Sequence, residues 1–379
     1  MRILVLGAGY AGVTLARRLE SNLPSEAELV VVDESDAHLV QHEVHRVIRR
    51  PSVADAIRVP LTEMFDRAEP RVARVERLDR DAREVSFESG DAVSYDYAAV
   101  CLGAETAYYG LPGVEEHSYP LKRVDDALAI REAVLDSGEG ANVVVGGAGL
   151  SGIQTAGELA ALAREENLDA DVTVLERLGD VAPNFPENFR DAVREELTAR
   201  GVEVRTETPV VRATDDAVET DGETLPADVF VWTGGITGAD AMGGDRPLVR
   251  SDLRLDDRTF VVGDAARAVD ADGEAVPASA SAAIREARTV ATNLSRLVEH
   301  ERGGGDDFAP RLDPYRFDVP GWIVSVGDGA VAQLGPKVFT GAPAKAMKTS
   351  VGAGHLTSIG SIRQAAELAE EELGVRTDG

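Results

Sequence analysis

Cysteine occurs once in the 379 residues, at Cys101, so the chain can build neither an intramolecular disulfide nor a Cys-x-x-Cys redox pair. Any electrons it handles must pass through a bound group. No apolar run approaches the roughly 18 residues that a spanning helix needs. Met1 leads directly into a strand and a glycine turn with no signal-peptide pattern, and the expectation is a cytoplasmic protein. Basic residues are scarce: 39 Lys plus Arg face 67 Asp plus Glu for a net charge of −28, and only four of the 39 are lysines. The basic footprint that a nucleic-acid partner requires is therefore missing. Self-repulsion of this size is tolerated best where salt screens it, which suits a saline, halophilic cytoplasm; an ordinary acidic protein is the alternative.

The chain does have enough apolar residues, 44%, to fill more than one core, and its length calls for two or three lobes. Two segments follow one plan. In the first, Arg2-Ile3-Leu4-Val5-Leu6 leads into Gly7-Ala8-Gly9-Tyr10-Ala11-Gly12, a helix-period stretch and Leu29-Val30-Val31-Val32-Asp33. In the second, Asn142-Val143-Val144-Val145 leads into Gly147-Ala148-Gly149-Leu150-Ser151-Gly152, another helix-period stretch and Val172-Thr173-Val174-Leu175-Glu176. This is a duplicated βαβ unit and implies an α/β fold with parallel sheets.

Each unit has the means to hold a dinucleotide. A pyrophosphate is stabilised at a helix N-terminus if backbone N–H groups can approach it. Gly7 and Gly147 permit the tight turn, Gly9 and Gly149 remove the side chain that would block the phosphates, and Gly12 and Gly152 let helix and strand pack closely. Asp33, 21 residues after Gly12, and Glu176, 24 residues after Gly152, close the second strands where a carboxylate can accept from a ribose hydroxyl. An acid at Glu176 disfavours a 2′-phosphate and so favours NADH over NADPH, although the adjacent Arg177 could soften that preference.

With these motifs the sequence resembles the two-dinucleotide flavoproteins, and within them type II NADH dehydrogenases and their sulfide:quinone oxidoreductase relatives. Tyr95 to Ala104, which contains Gly103, is similar to the family's strand and Ala-Thr-Gly turn, and Phe230 to Gly235, with Gly234, resembles the matching turn of the second lobe. Thr259 to Ala266 resembles the family's FAD signature, in which Gly263-Asp264 ends a strand and the aspartate bonds the ribityl chain. The resemblance implies two Rossmann-like domains, FAD-binding over 1–110 and 251–305 and NAD-binding over 111–250, followed by a C-terminal α+β region over 306–379. It implies FAD and NADH as cofactors, with Gly7, Gly9, Gly12, Asp33, Val75, Gly103, Gly263 and Asp264 on the flavin side. Gly147, Gly149, Gly152, Glu176 and Gly234 fall on the nicotinamide side. The implied reaction passes hydride from NADH to FAD and electrons on to a quinone or another small acceptor.

Two departures bear on the acceptor. Quinone-reducing members carry a glutamate where this chain has Gln154, an amide that can orient but cannot take a proton, and they carry two glutamines where this chain has Ser281 and Arg285. A flavin-bound sensor without quinone turnover is therefore the rival reading. A sulfide oxidoreductase would need more than one cysteine.

His38, His42 and His45 are spaced to share one helical face. No companion ligands suggest a metal site, and the choice lies between a solvated helix and a proton-shuttling His42 beside the flavin. Finally, residues Gly329 to Ala366 contain no acid yet hold Lys337, Lys345, Lys348 and Arg363 with Val338, Phe339, Met347, Leu356, Ile359 and Ile362. Such a surface suits peripheral contact with anionic lipid on the inner face of the cell membrane, or a homodimer interface.

Overall fold

Runs of valine, isoleucine and leucine without polar alternation give strands covered on both faces, and the two sets of runs build two parallel sheets. A computed structural model describes residues 1–304 and 308–373, so Gly305-Asp306-Asp307, in the glycine-rich stretch at the expected boundary near 305, lie outside the described residues. The first lobe contains β1 (Arg2–Leu6), α1 (Tyr10–Asn22), β2 (Glu28–Asp33), a short α2 (His45–Arg49), β3 (Glu69–Val72) and β4 (Tyr97–Val100). The second contains β5 (Ala141–Gly146), α3 (Leu150–Glu166), β6 (Ala170–Leu175), β7 (Glu203–Arg205) and β8 (Val229–Trp232). The chain returns to the first lobe through β9 (Thr259–Val261) and α4 (Ala280–Arg302). It ends in β10 (Gly321–Val326), β11 (Gly329–Leu334), β12 (Lys337–Thr340), α5 (Gly341–Ser358) and α6 (Ile362–Leu373).

The first sheet runs β9-β4-β1-β2-β3 and the second β7-β6-β5-β8, every neighbouring pair parallel. Each glycine turn thus follows an inner strand and opens at the carboxyl edge of its sheet, where open α/β sheets take ligands. Each lobe also carries a three-stranded antiparallel sheet, starting at Val75–Asp79 in one and Val210–Ala213 in the other. An antiparallel pair between Glu105–Thr106 and Ile236–Thr237 ties the lobes together where the chain crosses.

The C-terminal strands β10, β11 and β12 form an antiparallel sheet that docks on α3 with backbone touching backbone. A Cβ on Gly157 of α3 would lie 2.3 Å from the Gly327 nitrogen. This docking turns part of the acid-free stretch inward. Lys348, Leu356 and Ile359 are buried, which corrects the expectation of one continuous outward face; Val351 and Ile362 remain 56% and 70% exposed, together with Lys337 and Arg363.

Candidate active site

The two glycine loops are built alike. Gly7 (φ +101°) and Gly147 (φ +99°) have left-handed backbones that a side chain would strain. A Cβ on Gly12 or Gly152 would lie 1.8 Å from the carbonyl oxygen of Gly7 or Gly147, so these glycines lock each helix onto its own turn. By contrast, a Cβ on Gly9 or Gly149 would meet no protein atom within 4 Å, and these positions face open space. The strand-end acids match as well. Asp33 accepts from the Ala8 N–H at 2.6 Å and the Ser35 N–H at 2.8 Å; Glu176 accepts from the Ala148 and Leu178 N–H groups, both at 2.8 Å. Each carboxylate oxygen keeps a second lone pair with which to receive a hydroxyl.

Gly7, Gly9, Asp33, Val75, Gly103 and Lys122 line one cavity of about 350 Å³. Gly234 stands beside the second loop, its Cα 2.9 Å from where a Cβ on Gly147 would lie; a Cβ on Gly234 itself would strike the Trp232 ring at 2.3 Å, so packing also demands glycine there. Asp264 lies in the 3₁₀ turn Gly263–Ala265 that follows β9, and its Oδ1 is buried without a hydrogen-bond partner. Burial pushes its carboxyl above the usual range although Lys122 and Arg246 oppose the shift. An orphaned acceptor beside a loop whose middle glycine faces open space fits a polyhydroxyl chain attached to a pyrophosphate, as in FAD.

Sequence reasoning missed the groups that support this site. Glu286 on α4 accepts from the Gly263 N–H at 2.6 Å, and burial pushes its carboxyl up to about 8, with the like charge of Asp264 adding to the shift. Arg246 donates to the carbonyls of Asp264 at 2.6 Å and Ala266 at 2.7 Å, fixing the turn. These partners are separated by up to 23 residues in the chain, and no motif signals them.

Gln154 donates to Ser325 Oγ at 3.2 Å, and that oxygen lies 2.8 Å from His45 Nε2. It therefore links α3, β10 and α2, the orienting role open to an amide. Glu158, one turn further on, is buried 2.8 Å from Arg49, and burial pushes its carboxyl up to about 7. Ser281 and Arg285 bond each other at 3.1 Å, and Arg285 also donates to the Asp318 carbonyl at 2.8 Å.

The three histidines do not share a solvated helical face. His38 lies on the short strand Ala37–Leu39, His42 in a 3₁₀ turn and His45 at the start of α2, and both His38 and His45 are buried. Among the described residues no cluster could hold a metal. Cys101 is buried behind the first loop, and burial pushes its thiol far above the usual value.

Residues 1–287 match the family model described as pyridine nucleotide-disulphide oxidoreductase. A type II NADH:quinone oxidoreductase of Staphylococcus aureus is 26% identical over 398 aligned residues, covering 95% of this chain and 96% of its own. Among solved structures, NDH2 from Plasmodium falciparum in complex with NADH superposes with a TM-score of 0.83 at 13% identity, covering 99% of both chains. The sulfide:quinone oxidoreductase of Aquifex aeolicus does so with a TM-score of 0.78 at 18% identity, covering 100% of this chain and 96% of its own. The two structural likenesses speak for the fold.

Proposed function

The chain belongs to the pyridine nucleotide-disulphide oxidoreductase family, and from that premise we infer that it is an FAD-dependent NADH dehydrogenase of the type II kind, passing electrons to a quinone. The observation that carries this reading is the pair of loops whose middle glycines, Gly9 and Gly149, face open space while their outer glycines are locked. Bound flavin supplies the two-electron chemistry that the side chains lack. The protein's part is to bind, orient and supply charge. In this reading Gly7, Gly9, Gly12, Asp33, Val75, Gly103, Gly263 and Asp264 hold FAD. Gly147, Gly149, Gly152, Glu176 and Gly234 hold NADH, and Gln154 positions the elements between them. A 2′-phosphate would bring negative charge against the buried Glu176, while Arg177 points into solvent.

Mixing the purified protein with NADH under anaerobic conditions should bleach the flavin absorbance within seconds, and NADPH should do so at least about tenfold more slowly. An unchanged spectrum with NADH would leave the flavin-bound sensor as the better reading. Faster bleaching by NADPH would overturn the role given to Glu176.

The quinone acceptor favours contact with a membrane, and among the described residues no helix is long and apolar enough to cross one. The reading is peripheral attachment to the inner face of the cell membrane through about residues 335–365, supported by exposed Lys337 on β12, Val351 on α5, and Ile362 and Arg363 at the start of α6. The protein should cosediment with anionic vesicles at low salt, and a V351D/I362D variant should lose that binding. Negligible binding by both proteins would overturn the membrane reading and favour a homodimer through the same face.

A further inference from the structure

Only four of the 39 basic residues are lysines, and three of those lie in the acid-free stretch from Gly329 to Ala366. The fourth, Lys122, lines the cavity of the first lobe with Gly7, Gly9 and Gly103. Resting on the reading of that cavity as an FAD site, we propose that Lys122 reaches across from the second lobe and pairs its ammonium with the diphosphate of FAD.

The backbone on either side fixes where this lysine stands. Tyr119, three residues earlier, is stitched to β8 of the second lobe: its N–H donates to the Phe230 carbonyl at 2.8 Å, and its carbonyl accepts from the Trp232 N–H at 2.9 Å. The N–H groups of Lys122 and Arg123 then both donate to the Asp126 carboxylate, at 2.7 and 2.8 Å, pinning the start of the helix Val124–Asp136. Lys122 is thus anchored within the 111–250 span expected to bind NAD, yet it lines the cavity of the first lobe.

The other cations of the wall are engaged with acids or turned to solvent. Arg123 donates to Glu34 at 2.6 Å and lies 3.7 Å from Glu105. Arg74 lies 3.9 Å from both Glu34 and Glu88, and Arg58 is exposed on a short strand. Lys122 differs from all three. It is half-buried, and among the described residues its ammonium has no hydrogen-bond partner and no carboxylate within 4 Å. Burial lowers it below the usual lysine value, while Asp264 and Glu105 oppose that shift from further away. A partly desolvated ammonium without a counter-ion is costly, and it calls for an anion.

A diphosphate is the anion that suits this cavity. Gly9 faces open space in it, and the N-terminus of α1, which no side chain caps, offers unpaired N–H groups at the same place. Backbone N–H groups and a lysine complement each other toward phosphate, the first directional and the second a compact charge on a flexible stem. The wall also carries Asp33, Glu34, Glu105, Asp125 and Asp240, in a chain of net charge −28. A doubly charged group enters such a wall only against repulsion, which a local cation offsets.

Stepwise dilution of the FAD-loaded protein, with released flavin read by its fluorescence, gives the dissociation constant without turnover. Lys122→Met, uncharged and of similar length, should weaken FAD binding at least about thirtyfold. Saturated with FAD, the variant should show the phosphorus NMR resonances of bound FAD displaced from their wild-type positions, and its flavin midpoint potential should stay where it was. Affinity within about threefold of wild type would overturn the proposal. So would a potential that moves while the phosphorus resonances do not, because the ammonium would then stand at the flavin ring. If Lys122→Met does not fold, Lys122→Gln, which keeps a polar end without the charge, takes the same measurements and is judged by the same outcomes. A protein that binds FAD in this way but is not bleached by NADH would overturn the dehydrogenase reading and leave the diphosphate pairing standing.

Discussion

Gly9→Ala is expected to purify as a folded protein without FAD, and Gly149→Ala as a yellow protein that NADH does not bleach. Neither methyl group would touch a protein atom within 4 Å. Both backbones are ones that alanine adopts without strain, at φ −72° and ψ −165° for Gly9 and φ −70° and ψ 179° for Gly149. The fold therefore loses nothing, and the new side chain occupies the space through which the helix N-terminus reaches a pyrophosphate. Loss of even two charge-assisted hydrogen bonds costs about 3 kcal/mol or more, roughly 100-fold in affinity. Gly12→Ala and Gly152→Ala provide the contrast. Each places its Cβ 1.8 Å from a loop carbonyl and should damage the lobe itself, seen as a lower melting temperature. Flavin absorbance at purification and bleaching by NADH decide the result. A yellow Gly9→Ala beside a colourless Gly149→Ala would reverse the assignment of the two loops.

What could be read in the sequence was what is local in the chain. The glycine turns, Asp33, Glu176 and the Gly263-Asp264 step each follow an apolar strand, and that short-range pattern fixes both their backbone geometry and their place at the sheet edge. Groups that meet only after folding left no such trace. His38 and His355 are 317 residues apart, and Lys348 and Glu43 are 305 apart. That second pair explains why a lysine could be counted on an outward face when it is buried against a carboxylate. The histidine spacing misled for a related reason: the segment is extended at Ala37–Leu39 and a 3₁₀ turn at Gln41–Glu43 before α2 begins, so helical periodicity does not apply to it.

Glu286 is expected to take stability away as the pH rises from about 4.5 to about 8, and Glu286→Gln should remove that contribution. Burial holds the folded-state value of Glu286 up to about 8, against the ordinary glutamate value of 4.5. Between these limits the folded chain keeps a proton that the unfolded chain releases, so stability falls by roughly 1.4 kcal/mol per pH unit for this group. The loss is absent below 4.5 and complete above 8. Glu158, raised by burial to about 7, acts in the same direction over a narrower window. A glutamine at 286 keeps an oxygen to accept the Gly263 N–H, which Glu286 now accepts at 2.6 Å, and it cannot ionise beside Asp264. The variant should therefore match the wild type near pH 4.5 and exceed it in urea midpoint by pH 8.5. It should also hold FAD at least as tightly at alkaline pH, because no second negative charge forms next to the carboxylate assigned to the ribityl chain. A variant whose urea midpoint stays a constant distance from that of the wild type across this window would show that Glu286 is already ionised in the folded protein, and that the Gly263 N–H and Arg246 outweigh its burial.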